Sequence, residues 1–206
     1  MNEFLKLNQH KIKFGLKWTS IIFTTIFLAL FTWGVFRGQI PEWSLALTVV
    51  LTAGIVFPFF IMTLGTLQEF LVYRKTKKIL GTYPFSELTK FGFQTGFANE
   101  NSKWTLTQLK LKGQFNDYPM EAEMENSNFK LIAFVNLDKV TKDHIRHLKK
   151  DLGDKRIEMD WLGVSLRYDT SRERLTSFEQ IKYDLKRLTD YLNTEQLQLD
   201  DESGSA

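Results

Sequence analysis

The sequence predicts an α+β protein in which a transmembrane hairpin of two helices precedes an antiparallel α+β domain. Two stretches of the 206-residue chain, 18–36 and 43–68, contain no charged side chain. A helix needs about 20 apolar residues to cross a bilayer core of about 30 Å, and both stretches meet that length. Behind them, apolar residues first alternate with period two and then recur at helical spacing, which is typical of strands and helices in one domain.

The basic residues beside the two stretches predict how the hairpin is oriented. Lys6, Lys11, Lys13 and Lys17 precede the first stretch, and Arg74, Lys75, Lys77 and Lys78 follow the second. The connection 37–42 holds one basic residue. Because Lys and Arg accumulate on the cytoplasmic side, we expect a multi-pass protein of a bacterial-type inner membrane with both termini in the cytoplasm. The basic flanks would then lie against anionic membrane lipids.

These features set the predicted boundaries. Residues 1–17 form a basic cytoplasmic segment, and spans at about 18–36 and 43–66 form a hairpin that covers 18–80 with its cytoplasmic helix extension. The soluble domain occupies 83–193, and 194–206 is a disordered acidic tail. Since no small-residue cleavage site follows the first span, we expect an uncleaved anchor and not a signal peptide.

Composition and motifs argue against several classes of function. Residues 79–206 carry eighteen basic and twenty-one acidic side chains, so the domain lacks the strong positive charge of a nucleic-acid-binding protein. The absence of cysteine excludes disulfides, thiolate metal sites and a cysteine nucleophile. The chain shows no Gly-rich phosphate loop, no Gly-x-Ser-x-Gly elbow and no His-Glu-x-x-His. We therefore expect a protein that is not an enzyme and needs no cofactor.

The register of three strands follows from two predicted turns, at Asn116-Asp117 and Asn126-Ser127. Both hairpins then have one apolar face and one face of opposite charges, which cross-strand pairing favours. The predicted pairs are Leu111 with Ala122, Lys112 with Glu121, Lys110 with Glu123, Ala122 with Leu131, Met124 with Phe129 and Glu123 with Lys130. Pro119 suits an edge or a bulge.

The remaining pattern completes the order β-β-β-β-α-β-β-α. A strand over 91–97 is expected ahead of these three. A helix follows, with Thr141 as its N-cap and Gly153 as its stop, and then two strands flank 160–163. Ser177 and Gln180 form a capping box at the start of the last helix.

Two groups have metal-binding residue types, but each also has a simpler interpretation. Glu121, Glu123 and Glu125 alternate along one strand, where carboxylates could ligate a cation, but the predicted register pairs two of them with lysines on a solvated face. His144 and His147 lie one helical turn apart without a third ligand at a recognisable spacing. We predict no metal site.

The densest basic cluster of the domain is the candidate ligand site. It could bind phosphate, either of a lipid head group or of a small anionic ligand. Its residues are Arg146, Lys149, Lys150, Lys155 and Arg156. The alternative is a solvated helix face, since Asp143, Asp151 and Asp154 dilute the positive charge.

Hydroxyl residues in the spans predict helix packing. Thr24 lies in the first span, and Thr48 and Thr52 lie four apart in the second. Such residues let helices approach closely, either within one hairpin or between several hairpins. The spans carry no ionisable residue, which argues against a proton-coupled carrier. Pro58 predicts a kink in the second span.

Two functional hypotheses follow, and a third, an enzyme on a membrane anchor, stays open because a scattered site escapes a motif search. The first is a membrane-anchored binding or assembly module whose domain engages a protein partner or self-associates. For the second, two spans followed by a β-rich domain resemble the two-span membrane effectors of bacterial cyclic-nucleotide antiphage systems. That resemblance is one of architecture and implies a domain that senses a small anionic signal, such as a cyclic nucleotide, and hairpins that cluster and disturb the bilayer. The two helices of the domain depart from the all-β barrel of those effectors.

Overall fold

The computed structural model describes residues 1–38, 43–125, 128–151, 156–160, 163–170 and 177–197. The chain divides into two compact units. The first comprises Met1–Arg74 together with Asn99–Gln108, and the second comprises Lys75–Ala98 and the residues from Leu109 onward. The long helices belong mainly to the first unit and the sheet to the second.

Two long helices dominate the first unit. Helix α1 covers Asn2–Phe36, so the basic segment before the first span continues the same helix. The second is built from α2 (Trp43–Leu51), a π-helical turn (Thr52–Val56) and α3 (Phe57–Leu80). Among the described residues, these two helices are long and apolar enough to cross a membrane, with mean hydropathies of 1.9 and 2.3. Their apolar windows are only 0% and 17% buried, unlike the core helix of a soluble protein.

The kink at Pro58 stays a prediction, but a π-helical turn ends two residues before this proline. Proline has no N–H to donate, and its ring clashes with the carbonyl of the residue four positions earlier. A π turn is one of the usual ways in which a helix accommodates such a disturbance. At the other end, α3 ends at Leu80, and the Gly81 N–H bonds to the Lys77 carbonyl at 3.1 Å.

The second unit contains a six-stranded antiparallel sheet in the order β1-β2-β3-β4-β6-β5. Its strands are β1 (Gln94–Ala98), β2 (Gln108–Phe115), β3 (Tyr118–Glu125), β4 (Asn128–Phe134), β5 (Ile157–Asp160) and β6 (Gly163–Asp169). Helices α4 (Lys142–Asp151) and α5 (Phe178–Thr194) complete the domain. The predicted α+β fold class is confirmed.

The register of the central strands also agrees with the prediction. Leu111 lies opposite Ala122, Glu123 opposite Lys130, and Met124 opposite Phe129. Pro119 pairs with Gln114 of β2, whereas the described ladder to β4 begins one residue later. The missing N–H of proline is tolerated there because Pro119 lies near the start of its strand.

One face of the sheet forms the core of the second unit. Phe129 and Leu131 of β4 are fully buried, as are Ile181 and Leu188 of α5. A 3₁₀ helix, Phe85–Phe91, also covers this face: its first phenylalanine stacks on Phe129 with ring centroids 3.9 Å apart. Both predicted N-caps are present, with the Thr141 and Ser177 hydroxyls accepting bonds from the backbone N–H three residues later.

The other face carries ion pairs between neighbouring strands, but some partners differ from those predicted: Lys130 lies 3.0 Å from Glu125. The Lys110 ammonium lies 2.6 Å from Glu121, the diagonal neighbour, and not against Glu123 as predicted. Diagonal partners lie within reach of long side chains. The stem of Lys112 lies over Gly96 of β1, where a Cβ would come within 3.1 Å of it. The stripe of carboxylates is therefore part of an ion-pair surface.

Two expectations differ from the structure, and three fall outside the described residues. The predicted strand over 91–97 starts later, at Gln94, because the 3₁₀ helix ends at Gly92 in a left-handed conformation, with φ +86°. Leu197 lies within the predicted tail but is buried, and its N–H bonds to the Leu192 carbonyl at 2.9 Å. The turn at 126–127, the stop at Gly153 and the rest of the tail, 198–206, lie outside the described residues.

Candidate functional site: a loop clamped to the base of the hairpin

The segment Asn99–Gln108, which we call the clamped loop, connects β1 to β2 and belongs to the same compact unit as the hairpin. It contacts both long helices beside the charge-free parts of the hairpin. Side chains of α1 bond to backbone groups of the loop, and Glu69 of α3 bonds to the side-chain amide of Gln108. This arrangement is the most specific polar feature of the first unit.

The centre of the clamp is Asn8, which is fully buried. Its Oδ1 accepts the Thr107 N–H at 2.7 Å, and its Nδ2 donates to the Thr107 carbonyl at 3.3 Å. The side-chain amide thus pairs with both backbone groups of one loop residue. Its Nδ2 also donates to the Phe4 carbonyl at 3.2 Å. Buried backbone groups need hydrogen-bond partners, and the Asn8 side chain supplies them for the N–H and the carbonyl of Thr107.

Two further polar contacts hold the loop at its sides. The Lys11 ammonium donates to the carbonyls of Asn99 and Thr105, the second at 3.1 Å. From α3, the Glu69 carboxylate accepts the Gln108 amide N–H at 2.6 Å. Lys11 was predicted to lie against lipid, but the structure uses its charge to close the loop. The loop therefore bonds to α1 and α3 together.

Aromatic contacts extend the clamp toward the charge-free stretch. The Trp104 ring meets Phe14 edge-on at 4.8 Å and lies 6.4 Å from Trp18. At the other end, Phe4 packs on Phe70 and Tyr73 with centroids 5.8 and 5.1 Å apart. These contacts join the two helices and the loop into one structure.

The helices of the hairpin cross at small residues. A Cβ on Gly54 would overlap the Thr24 hydroxyl, and a Cβ on Gly15 would come within 2.7 Å of Met62. The predicted packing residue Thr24 therefore lies at the crossing. Thr48 and Thr52 are exposed, and the Thr48 hydroxyl donates to the Ser44 carbonyl at 2.8 Å. Within one hairpin these two threonines do not contribute to the crossing.

The basic cluster of the domain is only partly assembled. Arg146, Lys149 and Lys150 are exposed on α4, where Arg146 lies 3.3 Å from Asp143. Arg156 instead bonds to the buried Asp184 at 3.0 Å and lies over the Tyr168 ring. Asp184 also accepts bonds from the Tyr168 hydroxyl and the Gln180 amide, so this network has a structural explanation. Lys155 lies outside the described residues.

The other predicted site residues have simple positions. His144 lies 3.6 Å from Glu195 and accepts the Thr141 N–H through Nδ1 at 3.1 Å, which explains it as part of a helix cap. The remaining basic residues beside the spans are exposed: Lys13, Lys17, Arg74, Lys75, Lys77 and Lys78. The described residues contain no group of three or more His, Asp or Glu that could hold a metal ion.

On the charged face of the sheet, the pKa of the Glu125 carboxyl is lowered. Its carboxylate accepts a bond from Lys130 at 3.0 Å and another from Arg167 at 3.1 Å. The bond from Lys130, more than the charge of Arg167, holds the pKa of Glu125 below its ordinary value of 4.5. Arg167 also reaches Glu158 at 3.1 Å, so four strands, β3 to β6, share these ion pairs.

Sequence reasoning did not find Asn8, Thr107 or Trp104. The available signal was weak: Phe4, Asn8 and Lys11 recur at helical spacing before the first span, and an isolated tryptophan follows Lys103. Comparisons with protein-family models, curated proteins and solved structures found no match for this chain.

Proposed function

We propose that this protein is a membrane-anchored binding and assembly module of a bacterial-type inner membrane, with both termini in the cytoplasm. The observation that carries the proposal is the pair of unburied apolar helices, each of 35 residues. At about 1.5 Å per residue, each is roughly 50 Å long and exceeds a bilayer core of about 30 Å. The excess length provides the base to which the clamped loop binds.

The exposed basic flanks support the orientation. Lys13 and Lys17 lie at one end of the hairpin with Arg74, whereas the opposite turn carries Arg37. Single cysteines introduced into this cysteine-free chain test the topology. An Arg37→Cys variant should react with an impermeant maleimide in intact cells, and a Lys186→Cys variant only after permeabilisation. Equal labelling of both in intact cells would contradict the orientation.

The contact surface that we assign to the partner is the exposed basic face of α4, formed by Arg146, Lys149 and Lys150. Exposed like charges on one face attract an acidic partner and speed its association. In a cross-linked pull-down of the full chain, Lys149→Glu should reduce recovery of a stoichiometric partner. Lys186→Glu is the matched control, since it makes the same charge change on an exposed position of α5. Equal recovery from both variants would reject this face.

The second candidate function is a signal-gated membrane effector, as the architectural resemblance implies. The clamped loop favours it, because β1 and β2 run directly into a segment that bonds to both helices. A small anionic ligand, such as a cyclic nucleotide, would change the domain, and the loop would pass the change to the hairpin.

The effector function predicts ligand-dependent permeability. Vesicles that contain the full chain should release a dye when a cyclic nucleotide is added, and Asn8→Leu should uncouple the response. Gln9→Leu, at an exposed neighbouring position, is the control. Vesicles that stay sealed with every cyclic nucleotide tested would argue against the effector and leave the anchored module.

A further inference from the structure

We propose that the tip of the clamped loop, Lys103 and Trp104, is a third membrane contact that lies among the anionic head groups of the cytoplasmic leaflet. This inference rests on the proposed insertion of the hairpin. It adds a lipid-binding surface that comes from the β1–β2 connection and not from the spans.

The position of Trp104 fixes its depth. Its ring lies 6.4 Å from Trp18 and 4.8 Å from Phe14, both on α1. Trp18 is the first residue of the charge-free stretch, and Lys17 precedes it. The boundary between head groups and hydrocarbon therefore falls at this turn of the helix. A ring that packs beside Trp18 lies at the same level.

The side chains at the tip of the loop are of the kinds found at the boundary between head groups and hydrocarbon. Trp104 is 66% exposed and Trp18 is 40% exposed, so the pair presents apolar ring surface to its surroundings. Tryptophan is enriched where membrane meets water, since its ring is apolar and its N–H can still bond. Lys103 and Lys17 are both exposed beside the rings and carry the charge that attracts anionic lipid. Lipid at this depth, continuous with the lipid around the first span, would contact the two tryptophan rings and attract the two lysines.

The loop is also held in place before it meets lipid. The Ser102 hydroxyl accepts the N–H groups of Trp104 and Thr105 at 3.3 and 3.0 Å, which shapes the tip. Lys11 bonds to the carbonyl of Asn99 before the tip, and Lys11 and Asn8 bond to Thr105 and Thr107 after it. A contact that is already ordered loses little conformational entropy on binding. The clamp thus holds Trp104 against the membrane.

A nitroxide on a single cysteine tests the proposal in the full chain. The label is placed at Lys103→Cys, with Leu28→Cys in the first span and Lys186→Cys on the domain as controls. The protein is reconstituted in vesicles of phosphatidylcholine and phosphatidylglycerol. Accessibility to oxygen and to a water-soluble nickel complex then reports the depth of each label. We expect the label at 103 to lie between the two controls, at head-group depth.

Two results would overturn the proposal in different ways. If the label at 28 lies in hydrocarbon and the label at 103 is as accessible to nickel as the label at 186, the loop does not touch the membrane and the anchored module stands. If the label at 28 is also in water, the proposed insertion itself fails. Adding Trp104→Ser should move the label at 103 toward water, whereas Trp104→Phe should preserve most of its depth. Equal depths in these two variants would exclude a role for the ring.

Discussion

A single buried amide carries the contact between the clamped loop and α1. Asn8 satisfies both backbone groups of Thr107, which is itself only 2% exposed. An Asn8→Leu change leaves these groups without partners, which costs about 1–3 kcal/mol for each unsatisfied group. We expect amide hydrogen exchange in the clamped loop to accelerate by a factor of roughly ten or more, since 1.4 kcal/mol corresponds to a factor of ten.

The matched control for Asn8 is its exposed neighbour Gln9. Gln9→Leu adds the same side chain one position away and should leave exchange in the clamped loop unchanged. Exchange in β4 serves as an internal reference in both variants, because its residues lie in the other unit. Equal protection of the loop in the Asn8 and Gln9 variants would show that the amide contributes nothing to the clamp.

Acidity at Glu125 gives a second prediction for a single residue. The pKa of this carboxyl is lower in the folded protein, first because of the bond from Lys130. Its stabilising contribution is therefore present above the ordinary pKa of a glutamate and is lost as the pH falls through the lowered folded value. Since the side chain is 46% exposed, we expect less than about 1 kcal/mol.

Thermal unfolding of the full chain in detergent measures that contribution. Wild type should be more stable than Glu125→Gln at pH 7, and the difference should shrink over the acid interval below about pH 4.5. A difference that stays constant over this interval would assign the effect of the substitution to packing and not to ionisation.

At the scale of elements, the close approach of α1 to the second long helix depends on Gly54. A Cβ at this position overlaps the Thr24 hydroxyl, whereas a Cβ at Gly65 meets no atom within 4 Å. Gly54→Ala should therefore destabilise the hairpin by about 1–3 kcal/mol through overpacking. Gly65→Ala should be neutral or slightly stabilising, because alanine favours a helix over glycine. Melting temperatures in detergent compare the two, and equal losses would contradict the crossing.

The elements that could be predicted are those whose own residues determine them. The register of β2, β3 and β4 followed from alternation and a two-residue turn, because a slip of one residue would exchange the two faces. The clamped loop could not be predicted, since its conformation depends on Asn8, about a hundred residues earlier in the chain. The ion pair of Arg156 could not be predicted for the same reason, because its partner, Asp184, comes from a distant helix.

At the scale of the whole molecule, the outward threonines predict association between hairpins. Thr48 and Thr52 are exposed and face away from the crossing, on a helix that we propose lies in lipid. Hydrogen bonds between membrane helices contribute about 0.6 kcal/mol each on average. A Thr48→Val and Thr52→Val double variant should therefore weaken association by roughly 1 kcal/mol, or about fivefold.

Energy transfer between labelled copies in vesicles measures this association. The control is Thr25→Val with Thr32→Val on α1, two exposed threonines whose hydroxyls also bond to their own helix, both at 2.8 Å. Only the change on the second helix should lower the transfer. Equal transfer for both double variants would leave these threonines without a role in assembly.

The π-helical turn Thr52–Val56 determines the direction in which each later side chain of the second helix points. Such a turn accommodates one residue more than an α turn, and each residue of a helix corresponds to a rotation of about 100°. If the same residues formed a regular α-helix with no deletion, α3 would be rotated by that angle about its own axis. Glu69 would then point away from Gln108, although no residue of the clamp had been altered. The turn therefore acts as a rotational spacer, and its length is as much a determinant of the clamp as any side chain in it.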